Sequence, residues 1–283
     1  MLLSVNALTV SFDGALRAGR AVDGISFAIE KGRTLGLVGS SGSGKSVTCH
    51  AILDLLPPTA ERLSGTALLD GQDLFALDER SMAACRGRRI AMIFQDPVRS
   101  LNPVMTIGAQ LGETLRLHRG ISGSELGEET AALLRLVGIP DPDLRSRAYP
   151  HQLSGGMCQR VMIAMATAAR PDLLIADEPT TALDLTTQAQ ILALLRDLQE
   201  RFGTAILLVS HDMSVVAELA HSVAVMSQGR IVEEGAMASV LRNPRHSVTQ
   251  EIVADAMRLP APEALTPPDP ASPDLLPPDR VSP

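Results

Sequence analysis

Eight residues, Gly39-Ser40-Ser41-Gly42-Ser43-Gly44-Lys45-Ser46, constrain this chain more than any other stretch. They read glycine, four residues, then Gly-Lys-Ser, set between the apolar run Leu35-Gly36-Leu37-Val38 and a helix-like segment over residues 47–56. In that context the glycines let successive backbone N–H groups turn inward around a phosphate, and the following helix adds the positive end of its dipole. Lys45 is then placed for the β- and γ-phosphates of a nucleotide, and Ser46 for Mg²⁺. A plain strand-to-helix turn is the bland alternative. The presence of both flanking elements weighs against it.

The chain before the loop is β-rich. Residues 2–12 alternate and read as a strand ending at Phe12; a turn-rich stretch over 13–20 leads to a second strand over 24–30, and Lys31-Gly32 turns into the loop strand. After the loop helix, Pro57-Pro58 breaks the chain, residues 65–69 with Asp70-Gly71 suit a strand and turn, and residues 89–94 form an apolar strand ending at Gln95. The pattern then changes. Leu111, Leu115, Leu133, Leu134 and Val137 recur at helical spacing over residues 106–118 and 125–137, which predicts a helical insert. A helix over 157–169 stops at Arg170-Pro171, and strands over 173–176 and 204–210 flank a helix over 187–202. That alternation predicts a parallel α/β sheet. A short helix over 215–219, a hairpin over 222–226 and 230–233, and helices over 238–241 and 248–257 complete the order. Past Leu259 proline dominates, so residues 259–283 are expected to be a disordered tail.

Composition excludes some functions. A net charge of −7 and a pI near 5.4 supply no cationic field for nucleic acid or anionic lipid, and no Trp with a single Tyr leaves no stacking platform for bases. No apolar run nears the roughly 20 residues of a spanning helix, and the first ten residues lack the basic start of a signal peptide, so a cytosolic chain is expected. Cys49, Cys85 and Cys158 are isolated and expected to be reduced, buried thiols.

A phosphate loop alone says only nucleotide, so its company decides the class. Asp177-Glu178 ends the apolar strand 173–176, where open α/β sheets place their ligands. Asp177 suits Mg²⁺, and Glu178 suits the water that attacks the γ-phosphate. A solvated acidic turn is the alternative for that pair taken alone. His211 follows the strand 206–210 and can donate to the γ-phosphate; Gln95, at another strand end, can touch the metal or the water. Leu153-Ser154-Gly155-Gly156 reads as a capped helix start and a second phosphate grip. One loop and two grips suggest a second, similar subunit, with two ATPs in a head-to-tail interface.

This ordered set resembles the ATP-binding subunits of ABC transporters over nearly all of residues 1 to about 258. Gly39 to Ser46 matches Walker A, Gln95 the Q-loop, Leu153-Ser154-Gly155-Gly156 the signature motif, Leu173 to Glu178 Walker B, Ala182-Leu183-Asp184 the D-loop and His211 the H-loop. By that resemblance Phe12 stacks on adenine, while its own position fits an ordinary strand residue equally. Ile93-Phe94-Gln95-Asp96-Pro97, Tyr149-Pro150-His151-Gln152 and Asn243-Pro244-Arg245-His246 look like the peptide and nickel importers within the family. Cys158 departs from a position often larger and polar. By the resemblance, many peptide importers carry a C-terminal cysteine cluster; no cysteine follows Cys158 here, which weakens dipeptides or oligopeptides as substrate and leaves nickel or another solute open.

The resemblance implies an α/β fold: a P-loop (RecA-like) ATPase core with an N-terminal antiparallel β region over residues 1–96 and 166–235, and an inserted α-helical subdomain over 97–165. C-terminal helices occupy 236–258. It implies ATP with Mg²⁺, a second ATPase subunit, two membrane permeases, an extracytoplasmic solute-binding protein, and a place at the cytoplasmic face of a bacterial inner membrane. A soluble ABC-type ATPase of DNA repair or translation is the second reading, and it usually carries a long coiled-coil insert or two ATPase units. A nucleotide-gated module without turnover is the third, and intact Lys45, Asp177, Glu178 and His211 argue against it.

Overall fold

In the computed structural model, which describes residues 1–12 and 19–258, apolar alternation at the start of the chain becomes a pair of antiparallel strands. These are β1 (Leu3–Phe12) and β2 (Arg20–Ile29). β2 begins at Arg20 rather than at residue 24, because Val10 and Ser11 of β1 offer partners to Val22 and Arg20. The chain crosses to a second sheet as β3 (Thr34–Val38), buried at every position, and enters α1 (Lys45–Ile52). This helix is shorter than 47–56 suggests: Asp54 takes a left-handed φ of 53° and the Leu55 N–H bonds back to the His50 carbonyl at 2.8 Å. β4 (Ala60–Leu69) and β5 (Gln72–Asp73) return to the first sheet, whose order is β2-β1-β4-β5. β4 starts at Ala60 rather than residue 65 because it pairs with β1 as far as Phe12.

A short helix that periodicity does not announce, α2 (Glu79–Cys85), starts where the Asp78 carboxylate accepts from the Ser81 N–H at 2.8 Å. β6 (Ile90–Ile93) follows, fully buried. The expected helical stretch is α3 (Pro97–Ser100), α4 (Ile107–Arg119), α5 (Glu125–Leu136), α6 (Pro142–Arg145) and α7 (Gly155–Thr167). Leucines at helical spacing point inward: Leu111 and Leu115 of α4 and Leu133 and Leu134 of α5 join Val161 and Met162 of α7 in one core. Then come β7 (Leu173–Asp177), α8 (Leu185–Phe202), β8 (Ala205–Ser210), α9 (Met213–Leu219), the hairpin β9 (Ser222–Ser227) and β10 (Arg230–Ala236), α10 (Met237–Arg242) and α11 (Ser247–Arg258).

The second sheet has the order β10-β9-β3-β8-β7-β6, parallel throughout except for β10. Its strands β3, β6, β7 and β8 are buried on both faces, whereas the edge strand β10 is not. Along β7, Leu173 and Ile175 enter the core shared with β1 and β2, whereas Leu174 and Ala176 enter the core shared with the helices. That is why these strands read as unbroken apolar runs. Register does the rest: Val38 pairs with Ser210, Asp177 with Val209 and Ile93 with Ala176. Four strands therefore end together, and the phosphate loop, Gln95, Glu178 and His211 leave from one edge. Cys49, Cys85 and Cys158 are all buried. The proline-rich tail over 259–283 and most of the turn over 13–20 lie outside the described residues.

Candidate active site

The loop after β3 turns through two left-handed glycines, Gly42 at φ 79° and Gly44 at φ 103°. Gly44 is the N-cap of α1, and no side chain caps the helix, so its first-turn N–H groups remain available to an anion. Close approach needs glycine here: a Cβ on Gly44 would run into the Ala21 carbonyl, and one on Gly39 into the Met226 carbonyl. Ala21, Ser41, Gly42, Gly44, Lys45 and Ser46 wall a cleft of about 250 Å³ that Gln95 and Glu178 complete. A larger hollow of about 730 Å³ beside β10 and α10 holds none of these groups, so chemistry rather than size picks the cleft.

Lys45 folds back over its own loop, its Nζ donating to the carbonyls of Gly39 at 2.7 Å and Ser40 at 3.0 Å. Burial lowers the pKa of this ammonium, and the nearby Glu178 and Asp177 oppose the shift. Asp177 closes β7 at 4% exposure. Its carboxyl is pushed above the usual range mainly by burial, against a hydrogen bond donated by the Ser46 hydroxyl at 3.2 Å. Hydroxyl and carboxylate oxygens side by side are the hard donor set that Mg²⁺ takes, so the residues fit that ion.

Glu178 has a left-handed φ of 47°, a conformation that costs a non-glycine residue about 1–2 kcal/mol. Pro179 follows and keeps it out of the helical region. The Glu178 N–H donates to the Val209 carbonyl at 2.9 Å, which ties the turn to β8. Three side chains converge on its carboxylate: Gln95 Nε2 and Thr181 Oγ1 donate to Oε2 at 2.9 and 2.8 Å, and His211 Nδ1 lies 3.3 Å from Oε1.

The geometry shows what Gln95 and His211 touch within one subunit. Gln95 meets Glu178, whereas the Ser46 hydroxyl is the side-chain partner of Asp177. His211 turns Nδ1 to the carboxylate, and a neutral imidazole donating there leaves Nε2 as an acceptor. Donation to a γ-phosphate as well needs either imidazolium or a turned ring.

Ser154, Gly155 and Gly156 lie elsewhere, and none of them lines the cleft. Ser154 caps α7 by accepting from the Met157 N–H at 3.3 Å. A Cβ on Gly155 would meet nothing within 4 Å, whereas one on Gly156 would meet the Thr187 methyl at 2.8 Å. Asp184 caps α8, accepting from the Thr187 N–H at 2.9 Å and the Thr187 hydroxyl at 2.7 Å, and these bonds lower its pKa. The Gly-Gly turn and the Asp184 cap thus meet at Thr187. Phe12 ends β1 opposite Ala60, half-buried, and among the described residues it does not line the cleft. Sequence reasoning missed Thr181 and Ala21. Thr181 carried a faint signal, a hydroxyl three residues after the acid across a proline turn; Ala21 carried none, because a long-range fold brings it to the loop.

The sequence pattern of the ABC transporter family matches residues 22–181. The chain is 52% identical over 254 residues to the peptidoglycan transport ATP-binding protein YejF of Agrobacterium fabrum, covering 89% of this chain and 46% of that protein. It is 49% identical to the probable peptide ABC transporter ATP-binding protein y4tR of Sinorhizobium fredii, covering 89% and 76%. It is 46% identical over 277 residues to the dipeptide transport ATP-binding protein DppD of Bacillus subtilis, covering 97% and 83%. The chain thus spans about half of the first relative's length and more of the other two. Among solved structures, the dimeric post-hydrolysis ATP-binding cassette MJ0796 bound to ADP and Pi superposes with a TM-score of 0.73 at 27% identity, covering 83% of this chain and 99% of that one. The cassette cbiO1 of Clostridium perfringens, part of the complex cbiONQ, gives 0.73 at 25% identity, covering 92% and 96%. With its phosphate loop, paired acids and separate Gly-Gly turn all held in that fold, the chain belongs to the ABC transporter family as an ATP-binding cassette.

Proposed function

We propose that this cassette hydrolyses ATP in pairs and drives a bacterial importer of peptides. One observation carries the reading: Glu178 is clamped beside the phosphate loop by Gln95, His211 and Thr181, while the Ser154-Gly155-Gly156 turn stands outside that cleft. Each ATP would lie between the loop of one subunit and the turn of another. The MJ0796 cassette, solved as a dimer, supports pairing.

Chemically, a water held by Glu178 attacks the γ-phosphorus; the new O–P bond forms as the bond to the bridging oxygen breaks, and ADP leaves. Glu178 accepts the hydrogen bond from that water and draws its proton. Lys45 exchanges its two loop carbonyls for phosphate oxygens, and the first-turn amides of α1 hold the same group. Mg²⁺ held by Ser46 and Asp177 would neutralise charge between the β- and γ-phosphates. Phe12 would stack on adenine. Residues 97–165 would move as a helical subdomain against the core and pass the motion to two permeases, with a solute-binding protein outside and this chain at the cytoplasmic face of the inner membrane. None of its described helices is long and apolar enough to cross a membrane. Nucleic acid is not a partner in this reading.

Peptides are favoured over nickel because the y4tR and DppD relatives are named for peptide and dipeptide transport. The test is phosphate release by the assembled transporter with its binding protein: a short peptide should stimulate it and nickel should not. Stimulation by nickel alone would reverse the substrate assignment.

A further inference from the structure

The turn from Glu178 to Asp184 contains Thr181, one of the three contacts on Glu178 named above, whose own task that reading leaves unassigned. It is bracketed by two left-handed non-glycine residues, Glu178 at φ 47° and Ala182 at φ 63°. Strain of this kind persists only where neighbouring contacts hold it. The holding contacts centre on Thr181. Its N–H donates to the Glu178 carbonyl at 3.2 Å, and its hydroxyl donates to Glu178 Oε2 at 2.8 Å.

Oε2 thus has two donors of different origin. Gln95 comes from the end of β6, on the segment that leads at once into α3 and the helical insert. Thr181 comes from the same short turn as the carboxylate. The Gln95 bond thus spans two separate elements, whereas the Thr181 bond closes within one turn. The His211 contact, at 3.3 Å, falls on Oε1, so among the described residues Gln95 and Thr181 are the side-chain donors to Oε2.

We propose that Thr181 is a positioning residue for hydrolysis: its hydroxyl keeps the Glu178 carboxylate aimed into the cleft whenever Gln95 departs. This rests on the reading of Glu178 as the group that holds the attacking water. Thr181 touches the carboxylate and not the reacting atoms, so its loss should lower turnover without loosening nucleotide.

The test is steady-state ATP hydrolysis by the full chain, with ATP binding measured separately. Thr181→Val keeps the shape and removes the donor. It should lower kcat about tenfold, the worth of one hydrogen bond to a charged group, with KM for ATP within about twofold of wild type. Thr181→Ser restores the donor and should recover kcat to within about twofold. Thr181→Ala should repeat the loss, which guards against a local defect peculiar to valine. In a Gln95→Ala background, Thr181→Val should cost more than the product of the single losses, because both donors to Oε2 seen among the described residues are then gone. Full kcat in Thr181→Val, or a serine variant as slow as valine, overturns the proposal. So does a rise in KM that accounts for the whole effect. Glu178→Gln, run alongside, separates the two levels: if it stays active, the reading of Glu178 falls and this inference with it. If it is dead while Thr181→Val is fully active, only the inference falls.

Discussion

The cleft at the sheet edge and the Ser154-Gly155-Gly156 turn both lie at a helix N-terminus, yet they are built in opposite ways. At the cleft α1 begins without a side-chain cap, Lys45 and Asp177 are buried, and Glu178 is left-handed. At the turn α7 has an ordinary serine cap, and Gly155 has open space around it. Buried charge and backbone strain cost stability and persist only where surrounding contacts hold them, and such features cluster at active sites. In the proposed function the cleft is where bonds are broken, and the turn, unstrained and open, is a half-site that a second subunit completes.

The contrast can be broken by substitution, in descending order of effect. Glu178→Gln should lower ATP turnover by about 10²–10⁴-fold while nucleotide still binds, read by phosphate release and by binding of a fluorescent ATP analogue. Gly155→Asp should leave the fold intact, since a Cβ there meets nothing and an acid suits a helix N-terminus. Its charge would nevertheless repel a partner's phosphate, and turnover should fall by about 10²-fold. A melting curve as good as wild type beside lost activity is the pattern to look for.

Asp177→Asn should reverse the sign of the stability effect. Burial raises the carboxyl pKa of Asp177, so the folded chain holds that proton more readily than the unfolded one. Its contribution is most favourable in acid and is lost as pH rises through the folded pKa. The amide should thus raise the melting temperature by a few degrees at neutral pH and give less advantage as pH falls into the carboxylate range. Turnover should be lost at every pH. Ser154→Ala is the smallest case, removing a cap worth about 1 kcal/mol in thermal unfolding.

How much of this was legible in the sequence follows from the same contrast. Local pattern announced the loop, the buried strands and the leucine faces of α4 and α5, because each depends on neighbours along the chain. The edge itself was legible too: once the strands are parallel, register carries Gln95, Asp177 and His211 to one side. Residues fixed by distant pairing were not. β2 and β4 run longer than their own residues suggest because β1 extends them. The His211 ring orientation and the Thr181 bond both depend on where the Glu178 carboxylate points, and only the folded turn sets that. Asp184 is by resemblance a D-loop residue of the nucleotide site; within one subunit its carboxylate is occupied as the α8 cap.

The central claim is that one subunit's loop and another's Gly-Gly turn enclose each ATP. Its most direct test is the solution mass of Glu178→Gln with and without ATP, repeated with Gly155→Asp added. We predict a doubled mass with ATP for the single variant and a monomer for the double variant. A monomer in the first case, or an ATP-induced dimer in the second, would contradict it.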